Sequence, residues 1–330
     1  MRRRLAILSV IGLLGLAVIP ARTAGASSAH GRILGVVPAG GAAAVRSHPI
    51  GYSSNGLGNL QYWGGSVQTG THHTYAIYWG GGSGTSFDPS YQANINQYFT
   101  DVAADSGKTS NVYYSDTQYY QSVGGVKTYI KYSEQFSGSW QDSSAFPASG
   151  CSDTSGGSIC VTDAQIQAEV TKAIQTNGWP TGSGSEYFVF LGNGASTCTD
   201  STNSECAFSY FCAYHSSYTN SSGQTVLYAN MPYAGHNLSA CGGGNYPNNP
   251  NSDATINVTS HEANETVTDY LGNAWYDWYG YENGDKCAWI FGPVLGGSSG
   301  AYYDQVINGH HYELQGEYSN YSRNCVWRNR

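Results

Sequence analysis

The pattern of apolar and polar positions predicts short strands and helices in irregular order. Runs of β-branched and aromatic residues that end at glycine predict strands, and apolar residues three or four positions apart predict helices. This order of elements favours an α+β fold with a mixed sheet in a single domain. The predicted strands are 73–79, 126–132, 187–191 and 225–231, and the predicted helices are 89–104, 162–176 and 254–270.

The chain divides by composition into three parts. Residues 1–26 begin with three consecutive arginines, at 2–4, which an apolar run and then small residues follow, and this order is typical of a secretory signal peptide. Residues 27–57 are rich in Gly, Ala and Ser without apolar periodicity, so we predict a disordered lead or a propeptide. Residues 58–330 are long enough for one domain with a substantial core. We therefore expect a secreted, extracellular monomer that has no membrane attachment after signal cleavage.

The cysteine content is even, which in an exported chain indicates a disulfide framework. We predict pairing between nearest neighbours along the sequence, because two of the pairs bracket short polar loops. None of the cysteines forms a C-x-x-C pair, so a thiolate zinc site is not expected. The eight cysteines are Cys151, Cys160, Cys198, Cys206, Cys212, Cys241, Cys287 and Cys325.

Charge and aromatic content limit the classes of partner. Removal of residues 1–26 leaves 10 basic against 22 acidic residues, a balance of −12, which argues against nucleic acid and anionic membranes. The chain also has 28 tyrosines and 8 tryptophans, clustered at several places. Such rings pack well in a core, and they also form surfaces for extended polymers. The expected partner is an extracellular polypeptide or polysaccharide.

The strongest chemical signal is the sequence His-Glu-x-x-Glu within the helix predicted at 254–270. His261 and Glu265 are four residues apart and therefore lie on one helix face, where both can reach one zinc ion. Glu262 is next in sequence and points to the flank of that face. In the zinc peptidase motif H-E-x-x-H, the equivalent glutamate activates a water molecule. We therefore predict His261 and Glu265 as metal ligands and Glu262 as the catalytic base.

An acid-rich loop follows this helix and is expected to supply the third ligand. Glu282 and Asp285 are the candidates, and Cys287 can anchor the loop. Two other interpretations stay open. His261 and Glu265 could instead form a hydrogen-bonded pair that holds the helix to the loop, or the loop could form a calcium site made of oxygen ligands. Zinc is the expected cofactor, and calcium is the alternative.

Other histidines rank lower as site residues. We interpret His215 as a core histidine, with a distal metal ligand as the alternative. A catalytic pair of Cys212 with His215 needs a free thiol, which the even cysteine count argues against. The pairs at 72–73 and 310–311 lie at or just before the start of predicted strands, at 73–79 and 312–314, and adjacent side chains of a strand face opposite sides. At most one histidine of each pair can therefore face the site.

Three ordered blocks of the chain resemble the EXORDIUM / phosphate-induced protein 1 group of secreted proteins and its bacterial relatives. The blocks are YWGGSVQTG at 62–70, the strand ending in IYW at 79, and the SHEANE, NAWY and ENGDKC segments within 260–287. Ser66 stands where that family usually has proline, Asn283 where it usually has isoleucine, and Tyr270 where bacterial relatives often have proline. None of these departures removes a candidate ligand. The resemblance, from about Leu60 onwards, implies an extracellular location and a zincin-like site without a defined reaction.

These observations together favour a secreted zinc-dependent hydrolase, most simply a metallo-endopeptidase of zincin-like architecture. A non-catalytic extracellular or cell-wall-associated binding protein of the EXORDIUM type is the second interpretation. A glycoside hydrolase that uses Glu262 and a loop acid as its carboxylate pair is the third.

Overall fold

The computed structural model describes residues 33–41, 58–82, 84–148 and 150–329. The predicted signal peptide, residues 1–26, lies outside these ranges, as do residues 27–32 and 42–57 of the predicted lead. Among the described residues, no helix combines the length and apolar character that a membrane span requires.

A six-stranded mixed sheet forms the centre of the fold. From one edge to the other its strands are β1 (Ile33–Pro38), β10 (Phe211–Thr219), β11 (Thr225–Met231), β8 (Ser185–Leu191), β3 (His72–Trp79) and β6 (Glu134–Asp142). The last four strands run parallel to one another, whereas β10 is antiparallel to both β11 and β1. Strand β8 is buried along its whole length, as expected for a parallel strand covered on both faces.

Helices cover both faces of this sheet. They are α1 (Tyr91–Ala104), α2 (Asp163–Asn177), the short α3 (Leu238–Cys241) and α4 (Pro250–Asp269). On one face, α1 packs Phe99 against Phe188 of β8, and Tyr91 donates a hydrogen bond to Thr255 of α4. On the opposite face, Asp163 of α2 accepts hydrogen bonds from tyrosines of β10 and β11. The sheet is therefore the middle of three layers.

Short two-stranded sheets lie outside the main sheet. They pair β2 (Gln61–Tyr62) with β12 (Trp275–Tyr276), β4 (Tyr120–Val123) with β5 (Val126–Tyr129), β7 (Gly157–Thr162) with β9 (Gly194–Cys198), β13 (Gln305–Ile307) with β14 (His310–Tyr312), and β15 (Glu317–Ser319) with β16 (Asn324–Val326). Short 3₁₀ helices occur at Val112–Gln118, Ala234–Asn237 and Asp285–Cys287.

The predicted combination of helices with a mixed sheet is confirmed, and each predicted strand and helix overlaps an observed one. The capping box at the start of α2 is present, with Thr162 and Gln165 bonded as the sequence indicates. Helix α4 begins earlier than predicted. Asn249 accepts hydrogen bonds from two backbone N–H groups of the first turn, and Pro250 follows at a position where proline is tolerated.

One part of the predicted lead needs correction. Composition predicts disorder or a propeptide for residues 33–38, and they form β1 at the edge of the main sheet. The disordered alternative fails there because the segment finds backbone partners on β10 and buries Val37 in the core. The propeptide alternative stays a prediction.

The predicted disulfide framework is confirmed, including its nearest-neighbour pairing. The bridges are Cys151–Cys160, Cys198–Cys206, Cys212–Cys241 and Cys287–Cys325. Because Cys212 is bonded to Cys241, it has no thiol to act as a nucleophile beside His215. The Cys287–Cys325 bridge ties the acidic loop after α4 to β16, which fixes the position of that loop beside the helix.

Candidate metal centre

Helix α4 carries polar side chains into the middle of the protein. Residues 252–269 are all buried, although most of them are Ser, Thr, Asn, Asp, Glu or His. Buried polar groups need partners, and several side chains of the helix have them. Thr266 donates to Glu186 of β8, and Asn257 accepts from the backbone of Gln315. The helix is therefore held by polar contacts on several sides, which fixes its rotation and the direction of its functional residues.

His261 and Glu265 meet on one face of α4, as the four-residue spacing predicts. His261 Nε2 lies 3.1 Å from Glu265 Oε1 and 3.8 Å from Asp285 Oδ1. The backbone N–H of Asp285 donates to the same Glu265 oxygen at 2.7 Å. A single ion could contact one ligand atom from each of these three residues, because those atoms lie within 4.8 Å of one another. The loop acid that joins His261 and Glu265 is thus Asp285.

Gly284 allows the loop to approach this closely. A Cβ atom at that position would lie 2.9 Å from both Glu265 Oε1 and the His261 ring. Any side chain would push the loop away from the helix, and Asp285 would move with it.

Glu282, the other predicted loop ligand, lies against a different part of the site. Its Oε2 atom is 3.9 Å from His215 Nε2, and it accepts a hydrogen bond from the backbone N–H of Gly35 at 2.8 Å. Among the described residues it belongs to no group of side chains whose ligand atoms lie close enough together for one ion. The geometry therefore favours Asp285 over Glu282 as the third ligand.

His215 of β10 enters the site from the sheet. Its Nδ1 atom lies 3.1 Å from Glu262 Oε2 and 3.6 Å from Glu265 Oε2. The sequence predicts His215 to be a core histidine. It is indeed buried, yet three glutamates surround it. The sequence offers no signal for this contact, because the strand at 211–219 is not predicted and pairing between distant strands brings His215 to α4.

The four other histidines considered from the sequence, at positions 72, 73, 310 and 311, make their contacts elsewhere. His72 bridges Glu134 and Glu186, and the Nδ1 atom of His73 lies near a serine of β6. His310 pairs with Asp101, and the ring of His311 stacks on Tyr303. The acid Asp277, at the start of the acidic loop, is paired with Lys286 at 3.0 Å. His215 is therefore the histidine that joins the predicted residues.

Carboxyl groups are concentrated at this site. Four of them, from Glu262, Glu265, Glu282 and Asp285, lie in or beside a largely buried space. Within the described part of the chain, the three glutamates form ion pairs with His215 and His261 and none with lysine or arginine. Buried carboxylates are costly without a cationic partner.

Several polar atoms of the cluster also lack hydrogen-bond partners within the described residues. They are His215 Nε2, His261 Nδ1, Glu262 Oε1, Glu265 Oε2 and Glu282 Oε1. Buried orphan atoms are uncommon in proteins, and a bound ion can satisfy them. A site made of imidazole nitrogens and carboxylate oxygens suits zinc or another transition metal better than calcium or magnesium, which prefer oxygen ligands alone. The residues present therefore fit a zinc ion.

Burial shifts the acid–base properties of these groups. Burial, together with neighbouring His261, lowers the pKa of His215 to about 3, so its imidazole is neutral at neutral pH. Burial, followed in importance by the Asp285 carboxylate, raises the pKa of Glu265 to about 7. Burial also raises the pKa of Glu262 and of Glu282 well above the usual range. For His261, burial acts to lower the pKa, but the carboxylates of Glu265 and Asp285 outweigh it and raise the pKa.

Because their pKa values are raised, the glutamates of this site ionise less readily than exposed carboxyl groups do, unless a positive charge lies nearby. A divalent cation would supply that charge and would bring the carboxylates to the form in which they bind metal.

No protein-family model, curated protein or solved structure matches this chain.

Proposed function

We propose that the protein is a secreted zinc-dependent hydrolase whose metal is bound by His261, Glu265 and Asp285. The observation that carries the proposal is the buried cluster of two histidines and three glutamates beside Asp285, in which several polar atoms lack hydrogen-bond partners among the described residues. Three protein ligands are typical of catalytic zinc sites, which keep a further position for water or substrate. Secretion is supported by the four disulfides, which are typical of oxidising compartments.

Zinc, when bound, lowers the pKa of a water molecule and polarises a carbonyl group. Glu262 then serves as the base, accepting a proton from the attacking water as the new C–O bond forms. It returns this proton to the leaving amine as the C–N bond breaks. His215, whose Nδ1 atom lies 3.1 Å from Glu262 Oε2, orients the carboxylate for both transfers. These roles support a peptidase site, and polypeptide is the substrate class that we propose.

Substitution of the ligands one at a time tests this assignment. His261→Ala and Asp285→Asn should each weaken zinc binding more than about 100-fold, because loss of a direct ligand exceeds the 10- to 100-fold cost of losing a supporting residue. Glu282→Gln is the matched control, since Glu282 lies in the same loop without contacting His261, and its zinc affinity should stay close to that of the unmodified protein. Calorimetric titration with zinc measures all three. Unchanged affinity in His261→Ala would contradict the ligand set.

A second candidate function rests on a group of aromatic residues, here called the aromatic surface: the exposed Trp63, Trp278 and Tyr279, together with the half-buried Tyr276. Trp63 stacks on Tyr276 with ring centroids 5.1 Å apart and meets Trp278 edge-on at 5.0 Å. Trp278 is 72% exposed and Tyr279 is 67% exposed. Exposed rings held in fixed orientations suit stacking against sugar rings. This surface favours a polysaccharide-binding protein, with or without hydrolysis.

Binding to an insoluble neutral polysaccharide distinguishes this second function. Trp278→Ala should lower the retained fraction about two- to tenfold, which corresponds to the loss of one aromatic contact. Tyr321→Ala is the control, because Tyr321 is 82% exposed and is not part of the aromatic surface. Equal retention of the two variants in a pull-down assay would rule out sugar binding at the aromatic surface.

A further inference from the structure

Strand β1 lies directly over the candidate metal centre. It is an edge strand, and it pairs antiparallel with β10, the strand that carries His215. Val36 is opposite Tyr214, and Val37 is opposite Ala213. The backbone of β1 therefore runs in extended form past the histidine and across the acids of α4.

Gly35 is the point of closest approach between β1 and the site. Its backbone N–H donates to Glu282 Oε2 at 2.8 Å. A Cβ atom built on Gly35 would lie 1.7 Å from Glu265 Oε2 and 2.7 Å from the His215 ring. The strand thus fills the space beside a proposed ligand so tightly that glycine alone fits there.

Other contacts hold the segment after Gly35. The Pro38 carbonyl accepts a hydrogen bond from Trp289 Nε1 at 2.9 Å. Ala39 donates to the backbone of Tyr210, and Gly40 donates to the backbone of Ala240. These contacts use the backbone of the segment, and a segment with a different sequence could also make them. Backbone pairing to a sheet edge is how many proteins bind extended peptides without a strict sequence requirement.

We propose that residues 33–38 occupy the position of an extended polypeptide substrate and keep the hydrolase latent while they are docked. Displacement of β1 makes β10 the edge of the sheet. A substrate strand then pairs with β10, with a small residue at the position of Gly35 and its N–H directed to Glu282. This inference rests on the proposed zinc hydrolase function and adds the substrate class and the regulation of its site.

The full-length chain with Gly35→Ala tests this inference. The added methyl group cannot fit between Glu265 and His215, so β1 should leave the site. Hydrogen exchange should become faster in segments 33–41 and 211–219, and the zinc-loaded variant should hydrolyse an unfolded, labelled casein at least about tenfold faster, since a larger fraction of the molecules is then competent. Gly70→Ala is the control, because no atom would lie within 4 Å of its Cβ and its backbone is not strained.

A second variant tests the same inference in case Gly35→Ala does not fold. Trp289→Phe removes the hydrogen bond to Pro38 without placing any atom in the site. It should also make hydrogen exchange and casein hydrolysis faster, but by smaller factors than Gly35→Ala does. A synthetic peptide with the sequence of residues 33–41 should inhibit the activated Gly35→Ala protein, and the same peptide with alanine at the position of Gly35 should not.

Two results separate the inference from the function on which it rests. If β1 exchanges faster in either variant and zinc still binds, but hydrolysis does not rise, β1 is a structural strand and the inference is overturned. If neither the unmodified protein nor the variants bind stoichiometric zinc, the proposed function itself fails.

Discussion

Replacement of Glu262 by glutamine is expected to lower the rate of hydrolysis about 10²–10⁴-fold while zinc stays bound. An amide of the same shape cannot accept the proton of the attacking water, so the chemical step loses its base. The side chain is fully buried beside His215, and its nearest partner, the Nδ1 atom of His215, lies 3.1 Å away. Glutamine can keep this contact, and the surrounding structure should not change. Initial rates measured together with metal content test both halves of the prediction.

Glu169→Gln is the matched control for this experiment. Glu169 is also a buried glutamate on a helix, but α2 covers the opposite face of the sheet. Burial, with the neighbouring Asp142 carboxylate, raises its pKa to about 8, so glutamine imitates the uncharged form that is present at pH 7. This variant should keep both zinc and activity. Hydrolysis at an unchanged rate in Glu262→Gln would exclude Glu262 as the base.

His72→Gln is expected to lower the free energy of unfolding by about 3–5 kcal/mol, the typical cost of breaking a buried ion pair. His72 is 1% exposed and lies between two carboxylates, with Nδ1 2.8 Å from Glu134 and Nε2 3.0 Å from Glu186. Its removal leaves both carboxylates facing an uncharged amide. Because Glu186 also accepts a hydrogen bond from Thr266, the substitution should destabilise α4 as well. Urea unfolding measures the loss.

The same histidine should give the protein a defined pH dependence of stability. Burial alone would lower the pKa of His72, but the carboxylates of Glu134 and Glu186 raise it to about 10 from an ordinary value of 6.5. The folded state therefore keeps a proton that the unfolded state has lost. The contribution is complete below pH 6.5 and disappears as the pH rises to about 10. This loss of stability between pH 6.5 and 10 should be absent from His72→Gln.

His73→Gln is the control for both measurements. His73 is the next residue on β3 and lies partly exposed, with Nδ1 2.9 Å from the Ser137 hydroxyl. Its replacement should change the free energy of unfolding by no more than about 0.5 kcal/mol. Equal destabilisation by the two substitutions would show that the ion pairs of His72 contribute little to folding.

Local sequence signals predicted the parts of the fold that depend on neighbouring residues. The capping box at Thr162 predicted the start of α2, because its hydrogen bonds lie within one turn. The four-residue spacing of His261 and Glu265 predicted their contact for the same reason. Two of the disulfides join cysteines that are close along the chain, as with Cys198 and Cys206, 8 residues apart, and these two suggested the nearest-neighbour pairing.

Features that depend on distant pairing could not be predicted in this way. His215 reaches the site through the pairing of β10 with β11 and β1, which no short window of sequence reveals. Strand β1 comes from a segment whose composition resembles a disordered lead, and it is ordered by β10 and by Trp289. The choice of Asp285 over Glu282 depends on how the loop turns between these residues. In that turn, the backbone N–H of Glu282 donates a hydrogen bond to Asp285 Oδ2.

The most direct test of the zinc site is a calorimetric titration of the purified full-length protein with zinc, after removal of bound metal, with the metal content of the product determined independently. We expect one equivalent of tightly bound zinc per chain, held by His261, Glu265 and Asp285. Absence of stoichiometric zinc would contradict it. His261 and Glu265 would then be a structural pair that holds α4 to its acidic loop.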